Sequence, residues 1–166
     1  MQTSYSINQA AGLPGQIADS SLVKDIESYK NPAGAVKFGY CVTRGTNVGE
    51  CRHPVLPAEV TDEKLVKGIV VASHEIESVN DGEVPGYAAE SVVPVMRKGR
   101  IWVISATAVT EGTSLVYVRV AANGGNTLVG GLTTTSDTSF TAVLPKSKWK
   151  SSTSGAAELA VLEIDL

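Results

Sequence analysis

Along the chain, apolar side chains alternate with polar or small ones over short stretches, and Gly or Pro interrupts the pattern every few residues. In residues 35–42 (AVKFGYCV), Val36, Phe38 and Tyr40 alternate with Lys37, Gly39 and Cys41, the period of a half-buried strand. Residues 68–73 (GIVVAS) form a compact apolar run that predicts another. Two β-branched runs, 91–97 (SVVPVMR) and 100–105 (RIWVIS), flank Lys98 and Gly99, and this spacing predicts a hairpin turning at that pair. Pro94 has no ladder donor, so the first of these strands is expected at an edge or with a bulge. Residues 114–120 (SLVYVRV) predict a strand, and residues 140–144 a short one inside a Ser-, Thr- and Gly-rich excursion over 127–155. The closing run 156–166 (AAELAVLEIDL) places Leu159, Val161, Glu163 and Asp165 on one face of a strand and Ala160, Leu162, Ile164 and Leu166 on the other.

Between these runs the pattern changes. Residues 20–30 (SSLVKDIESYK) fit a short helix with Ser20 or Ser21 as N-cap and Leu22, Ile26 and Tyr29 roughly on one face; an irregular strand is the rival reading. Residues 31–34 (NPAG) and 123–126 (NGGN) read as turns, 43–57 as a loop, and 61–64 (TDEK) as one capped helical turn or a continued connection. The first twenty residues, MQTSYSINQAAGLPGQIADS, crowd Gly12, Pro14 and Gly15 together and sustain no period. They predict an extended arm whose apolar residues Tyr5, Ile7, Leu13 and Ile17 form no core of their own and lie on this domain or on a neighbour. The expected architecture is all-β, a jelly-roll-like two-sheet sandwich or barrel, with an arm at 1–20 and a single β domain at 21–166.

A length of 166 residues suits one domain, and 43% hydrophobic with 19% charged residues argues against both disorder and a membrane protein. No apolar run approaches the roughly 20 residues that span a bilayer. Residues 1–10 lack a basic start and an apolar segment, so the chain is expected to be made and used without export. A net charge of −3 lacks the basic surplus that grips a phosphate backbone, which excludes nucleic acid as the expected partner. Cys41 and Cys51, the two cysteines, are expected to be reduced thiols.

Candidate chemistry is thin. Cys41, Cys51 and His53 have no paired knuckle spacing and no evident fourth ligand, so no metal is expected. Ser73, His74 and Glu75 are adjacent, yet neighbours on a strand point to opposite faces and do not converge as a triad does. No nucleophile elbow is present, and Gly124-Gly125 lacks the strand-to-helix setting of a phosphate loop. Arg97, Lys98 and Arg100 gather positive charge at the expected hairpin tip, and Lys146, Lys148 and Lys150 alternate around Trp149. Either set faces an acidic partner or is simply solvated. Trp149 either anchors an interface or caps the end of the sandwich.

Several segments carry a resemblance when taken in order: 11–16 (AGLPGQ) with 18–20 (ADS), Phe38-Gly39, 68–71 (GIVV), 92–95 (VVPV), 99–103 (GRIWV) and 114–118 (SLVYV). The chain resembles the structural cement proteins that decorate the capsids of tailed bacteriophages, over roughly residues 3 to 125 and the closing strand. The resemblance implies a protein with no enzymatic activity and no cofactor, on the outer surface of the virion capsid. There it would clamp neighbouring major capsid subunits against the pressure of packaged DNA and associate with itself as a homodimer or homotrimer, without membrane or nucleic-acid contact. Tyr5, Ile7, Leu13, Pro14 and Ile17 are the expected arm contacts, and Arg97, Lys98, Arg100 and Trp149 the further surface candidates. The alternative is a carbohydrate- or host-surface-binding β-sandwich module using the hydroxyls and Asp137 of residues 133–138, against which stands an aromatic content of only 5%. A hydrolase around His74 is a third reading, tested by loss of activity in His74→Ala. Deleting residues 1–16 is expected to leave the β domain folded and lower capsid occupancy in a binding assay.

Overall fold

A computed structural model describes residues 12–19, 24–32, 34–73, 85–124 and 128–166. In chain order the strands are β1 (Asp25–Lys30), β2 (Val36–Lys37), β3 (Cys41–Arg44) and β4 (Cys51–Arg52), followed by one short helix, α1 (Pro57–Thr61). There follow β5 (Val66–Val70), β6 (Gly86–Tyr87), β7 (Val92–Ser105), β8 (Tyr117–Arg119), β9 (Leu132–Thr133), β10 (Thr141–Val143), β11 (Ser147–Trp149) and β12 (Glu158–Asp165). The all-β reading holds. Ten strands form one sheet, ordered β10-β8-β9-β7-β5-β3-β4, with β1 and β12 also paired to β7 and β11 to β12; β2 and β6 make a small second sheet. The large sheet does not close into a barrel.

The expected hairpin at Lys98-Gly99 is absent. Residues 92–105 run through as one strand of 14 residues. A two-residue turn of the favoured hand needs positive φ at both central positions, which Asn, Asp or Gly tolerate and Lys resists. Lys98 keeps a negative φ. The two apolar runs find separate partners instead: β1 pairs with the first half of β7, from Lys30↔Val92 to Asp25↔Lys98, and β12 with the second, from Asp165↔Lys98 to Glu158↔Ser105.

Pro94 is not at an edge, since β1 flanks it on one side and the end of β5 on the other. The Val71 N–H donates to the Pro94 carbonyl at 2.9 Å, and in an antiparallel pair the returning bond would come from the N–H that proline lacks. The Tyr87 hydroxyl supplies that missing donor, reaching the Val71 carbonyl at 2.9 Å from a buried position. Burial raises the Tyr87 phenol to about 12, so it stays a donor at any ordinary pH.

Other expectations shift by tertiary context. Residues 25–30 are the irregular strand, not the helix, with a register shift between Asp25 and Ile26. Tyr29 is buried and Ile26 exposed, which a strand allows three residues apart and a shared helix face does not. Leu22 lies outside the described residues. The run 35–42 is broken by a turn in which the Tyr40 N–H donates to the Lys37 carbonyl at 3.3 Å, so β2 and β3 enter different sheets. Helix α1 ends at Thr61, the first of the residues expected to cap a turn, so the helix precedes that stretch, and Pro57 stands in its first turn.

Two apolar clusters result. The larger joins Ile69, Met96, Ile101, Val103, Val118, Leu132, Trp149, Leu162 and Ile164; the smaller joins Tyr29, Val36, Phe38, Val70, Tyr87, Val93 and Val95. Strand β7 feeds both. Where β5 crosses it, a side chain at Gly68 would overlap the Met96 carbonyl oxygen, and Gly68 has φ +134°. Gly68→Ala is therefore expected to destabilise the fold by about 3 kcal/mol or more, while Gly34→Ala, at a positive φ with open space around it, is expected to lose about 1 kcal/mol. Urea unfolding of the two variants measures the difference.

Candidate functional site

The surface features picked out by the sequence converge on the second half of β7. Residues 13–16 (LPGQ) form a turn in which the Gln16 N–H donates to the Leu13 carbonyl at 3.0 Å, with Pro14 second and Gly15, at φ +80°, third, the arrangement of a type II turn. The Leu13 N–H donates to Gln16 Oε1 at 3.0 Å and closes the turn from the other side. Past it the chain joins the open edge of β7. The Gly15 N–H donates to the Trp102 carbonyl at 2.7 Å, the Trp102 N–H to the Gln16 carbonyl at 2.8 Å, and the Ala18 N–H to the Arg100 carbonyl at 2.9 Å. Ile17 bridges to Ile101 and packs on the larger core, while the Ala72 N–H donates to the Gly15 carbonyl at 2.8 Å. A side chain at Gly12 would meet the Trp102 indole at 2.5 Å, so the backbone lies flat on that ring.

Residues 12–18 are thus a strap held by the sheet. Of the expected arm contacts, Ile17 faces this domain's own core, Pro14 is half-buried, and Leu13 stands at the turn tip 59% exposed. Tyr5 and Ile7 lie outside the described residues. A cut after residue 16 would remove the Gly15 and Gln16 bonds from β7, so the cut that spares the domain falls before Gly12.

The positive charge expected at a hairpin tip is spread along β7 and paired. Arg100 Nε lies 2.7 Å from Glu163 Oε2 and its Nη1 3.6 Å from Asp19 Oδ2 on the strap, while Lys148 Nζ takes Glu163 Oε1 at 2.8 Å. Lys98 pairs with Asp165 at 2.8 Å, Arg97 with Glu27 at 3.5 Å, and Lys146 with Glu63 at 2.7 Å. Glu27 also accepts the Tyr29 hydroxyl. Pairs as exposed as these are largely screened by solvent and add little stability, so their main effect is on register between strap, β7, β11 and β12.

Trp149 is not a surface anchor. It is 1% exposed in the larger core, and its Nε1 donates to the Leu115 carbonyl at 3.2 Å. The alternating lysines around it mark a strand with one buried position: in β11 Trp149 points inward and Lys148 outward. Of the hydroxyls weighed as a ligand site, those of Thr133 and Thr134 are used internally, while Thr135, Ser136 and Thr138 are exposed. Thr107 Oγ1 lies 3.0 Å from Thr133 Oγ1 and 2.8 Å from Thr134 Oγ1, Thr133 is buried, and Asp137 faces Arg119 and Asn123.

No catalytic constellation is assembled among the described residues, and none of their His, Cys, Asp and Glu side chains group in threes that hold a metal. Ser73 is described; His74 and Glu75 are not. Cys41 and Cys51 are free and buried, and burial lifts their thiols to about 12 and about 11, well away from reactive thiolate. A half-open cleft of about 340 Å³ between β7, β8 and β9 is lined by Tyr40, Ile104, Arg119, Leu128, Leu132 and Thr133. Exposed apolar side chains that the periodicity did not single out are Val48, 91% exposed on the β3–β4 turn, and Leu56, Val92 and Leu115. Only the cleared space around a loop residue marks it, which alternation does not encode.

The charge network generates a test. Hydrogen bonds from Lys148 and Arg100 hold the Glu163 carboxyl below its ordinary 4.5, and that from Tyr29 does the same for Glu27. A carboxylate lowered on folding adds stability above the unfolded value that is lost as pH falls below it. Stability is therefore expected to decline below about pH 4.5, and Glu163→Gln to flatten part of that decline, as read from urea midpoints across pH 3 to 6.

A family model described as structural cement protein (E217 gp24/Pam3 gp6) matches residues 1–165. No curated protein matches the chain. Among solved structures, a chain from the capsid of the Myoviridae phage XM1 shares the fold with a TM-score of 0.67 at 13% identity, over 99% of this chain and 97% of that one.

Proposed function

The chain belongs to the structural cement protein family, which makes it a structural protein of the phage virion, located on the capsid, and from that premise we propose that it binds the outer surface of the major capsid shell and cements neighbouring subunits. In this reading it holds the head against the pressure of packaged DNA by adding contacts that must break before shell subunits part. A standard interface buries about 1,600 Å², and a homodimer or homotrimer engages several at once, so each can be weak while the whole is held. Closed symmetry would seat such an oligomer on a matching axis of the shell. No turnover, cofactor or nucleic acid enters the mechanism.

The observation that carries the proposal is the strap. Residues 1–11 lead into a segment bonded directly to the backbone of β7, so a pull on them is delivered to the longest strand of the sheet and not to a loose tail. Eleven residues reach at most about 36 Å when extended, enough to cross onto an adjacent subunit. Tyr5 and Ile7 would supply the apolar contacts there, with Leu13 beside the exit point and Arg97, Lys98 and Arg100 along the strand behind it. The carbohydrate-binding alternative has less support, because two of its hydroxyls, those of Thr133 and Thr134, are bonded to Thr107.

Deleting residues 1–11 is expected to leave the thermal melt of the isolated protein unchanged within a few degrees and to lower its occupancy on purified heads, counted by gel densitometry. Heads stripped of the protein are expected to rupture at lower temperature than decorated ones. Full occupancy after the deletion would remove the arm from the mechanism, and equal rupture temperatures would remove the cementing role.

A further inference from the structure

His53 lies one residue past β4, its imidazole enclosed between the β2–β3 segment and the 128–131 turn that leads into β9. Nε2 is 3.0 Å from the Ala35 carbonyl, which accepts only, so Nε2 carries the proton and Nδ1 holds the lone pair. Nδ1 has no hydrogen-bond partner and no surface open to water. The close neighbour on that side is Gly130, where a side-chain Cβ would stand 2.7 Å from Nδ1 and 2.9 Å from the Cys41 carbonyl. Gly130 also holds the turn in place: the Cys41 N–H donates to its carbonyl at 2.9 Å, and its own N–H donates to the Arg119 carbonyl at 2.8 Å.

We propose that His53 is an acid-sensitive latch on the 128–131 turn, closed while the ring is neutral and released when Nδ1 takes a proton. A proton on Nδ1 creates a buried donor with no hydrogen-bond partner and adds charge on the side of the ring that is shielded from water. Among the described residues, the surrounding groups do not offset it. Lys37 on β2 repels a cationic ring, and the Tyr40 ring stands edge-on at 6.2 Å. The buried Cys41 thiol on β3 is neutral, and Leu128 and Val129 present apolar side chains from the turn. Arg52 on β4 is directed to Glu59 of α1 at 2.7 Å, and Arg119 of β8 to Asp137. The small cavity against the ring, lined by Lys37, Tyr40, Leu128 and Val129, offers no carboxylate to an imidazolium.

Burial accordingly holds the imidazole below its ordinary 6.5. The sign follows: the folded chain binds fewer protons than the unfolded one as pH drops through that value, so the closed turn is fully stable above 6.5 and weakens beneath it. This window lies above that of the lowered carboxylates, and opening the turn would reshape the cleft that Tyr40, Leu128 and Leu132 line.

An NMR titration of the two histidines in the full chain, with amide hydrogen exchange, decides it. His53→Gln keeps a donor for the Ala35 carbonyl, does not titrate, and removes one imidazole signal, which assigns the other to His74. The expected result is a His53 midpoint below 6.5, with exchange protection at the Cys41 and Gly130 amides lost progressively as pH falls below 6.5 in the wild type and retained in His53→Gln. A midpoint at or above 6.5, protection that stays constant across the window, or the same loss in His53→Gln would overturn the proposal. Should His53→Gln fail to fold, the wild-type midpoint and protection decide alone.

Discussion

Both edges of β7 must be hydrogen-bonded along 14 residues, and the rest of the molecule is arranged to meet that demand. On one side β1 covers Val92 to Lys98 and β12 covers Lys98 to Ser105. On the other, β5 meets Val95 and Met96, the strap meets Arg100 and Trp102, and β9 meets Ser105. No other strand in the sheet has so many partners, and both apolar clusters draw side chains from it. A bond left open here would leave a buried peptide group unpaired, at about 1–3 kcal/mol each. The tyrosine hydroxyl that stands in for the missing proline donor shows how closely the account is kept.

This arrangement suits the adhesive role proposed for the protein. Residues 15–18 are bonded side by side to β7, so a pull entering through the proposed arm would be shared by several bonds before any one breaks. The charge pairs of Arg100 with Asp19 and Glu163 hold strap and closing strand in register on the same stretch. Among the described residues the thiols are buried and the cations of β7 are paired with carboxylates.

Misread residues share a cause. Lys98-Gly99 looked like a turn because the apolar runs on either side are similar in length, yet what decides is the φ that lysine resists and the separate partners each run finds from far along the chain. The cationic cluster looked open because its carboxylates, Glu27, Asp165, Glu163 and Asp19, are distant in sequence. Trp149 and its lysines had the period of a strand all along. The type II turn at Leu13-Pro14-Gly15-Gln16 was also legible, since Pro second and Gly third is that turn's own preference, but its docking on Trp102 was not.

From the residues alone came the all-β class, the closing strand with Ala160, Leu162 and Ile164 sharing one face, the strands near 68 and 117, and a family likeness that the full-length match supports. These are local properties, fixed by alternation, β-branched side chains and turn residues within a few positions of one another. Which runs pair, that 92–105 is one strand, that residues 12–18 lie on its edge, and that His53 sits sealed beneath Gly130 were decided only when distant segments met. Pairing is a choice among edges brought together from across the chain, and the hydrogen bonds and buried contacts that settle it do not exist until the sheet is assembled.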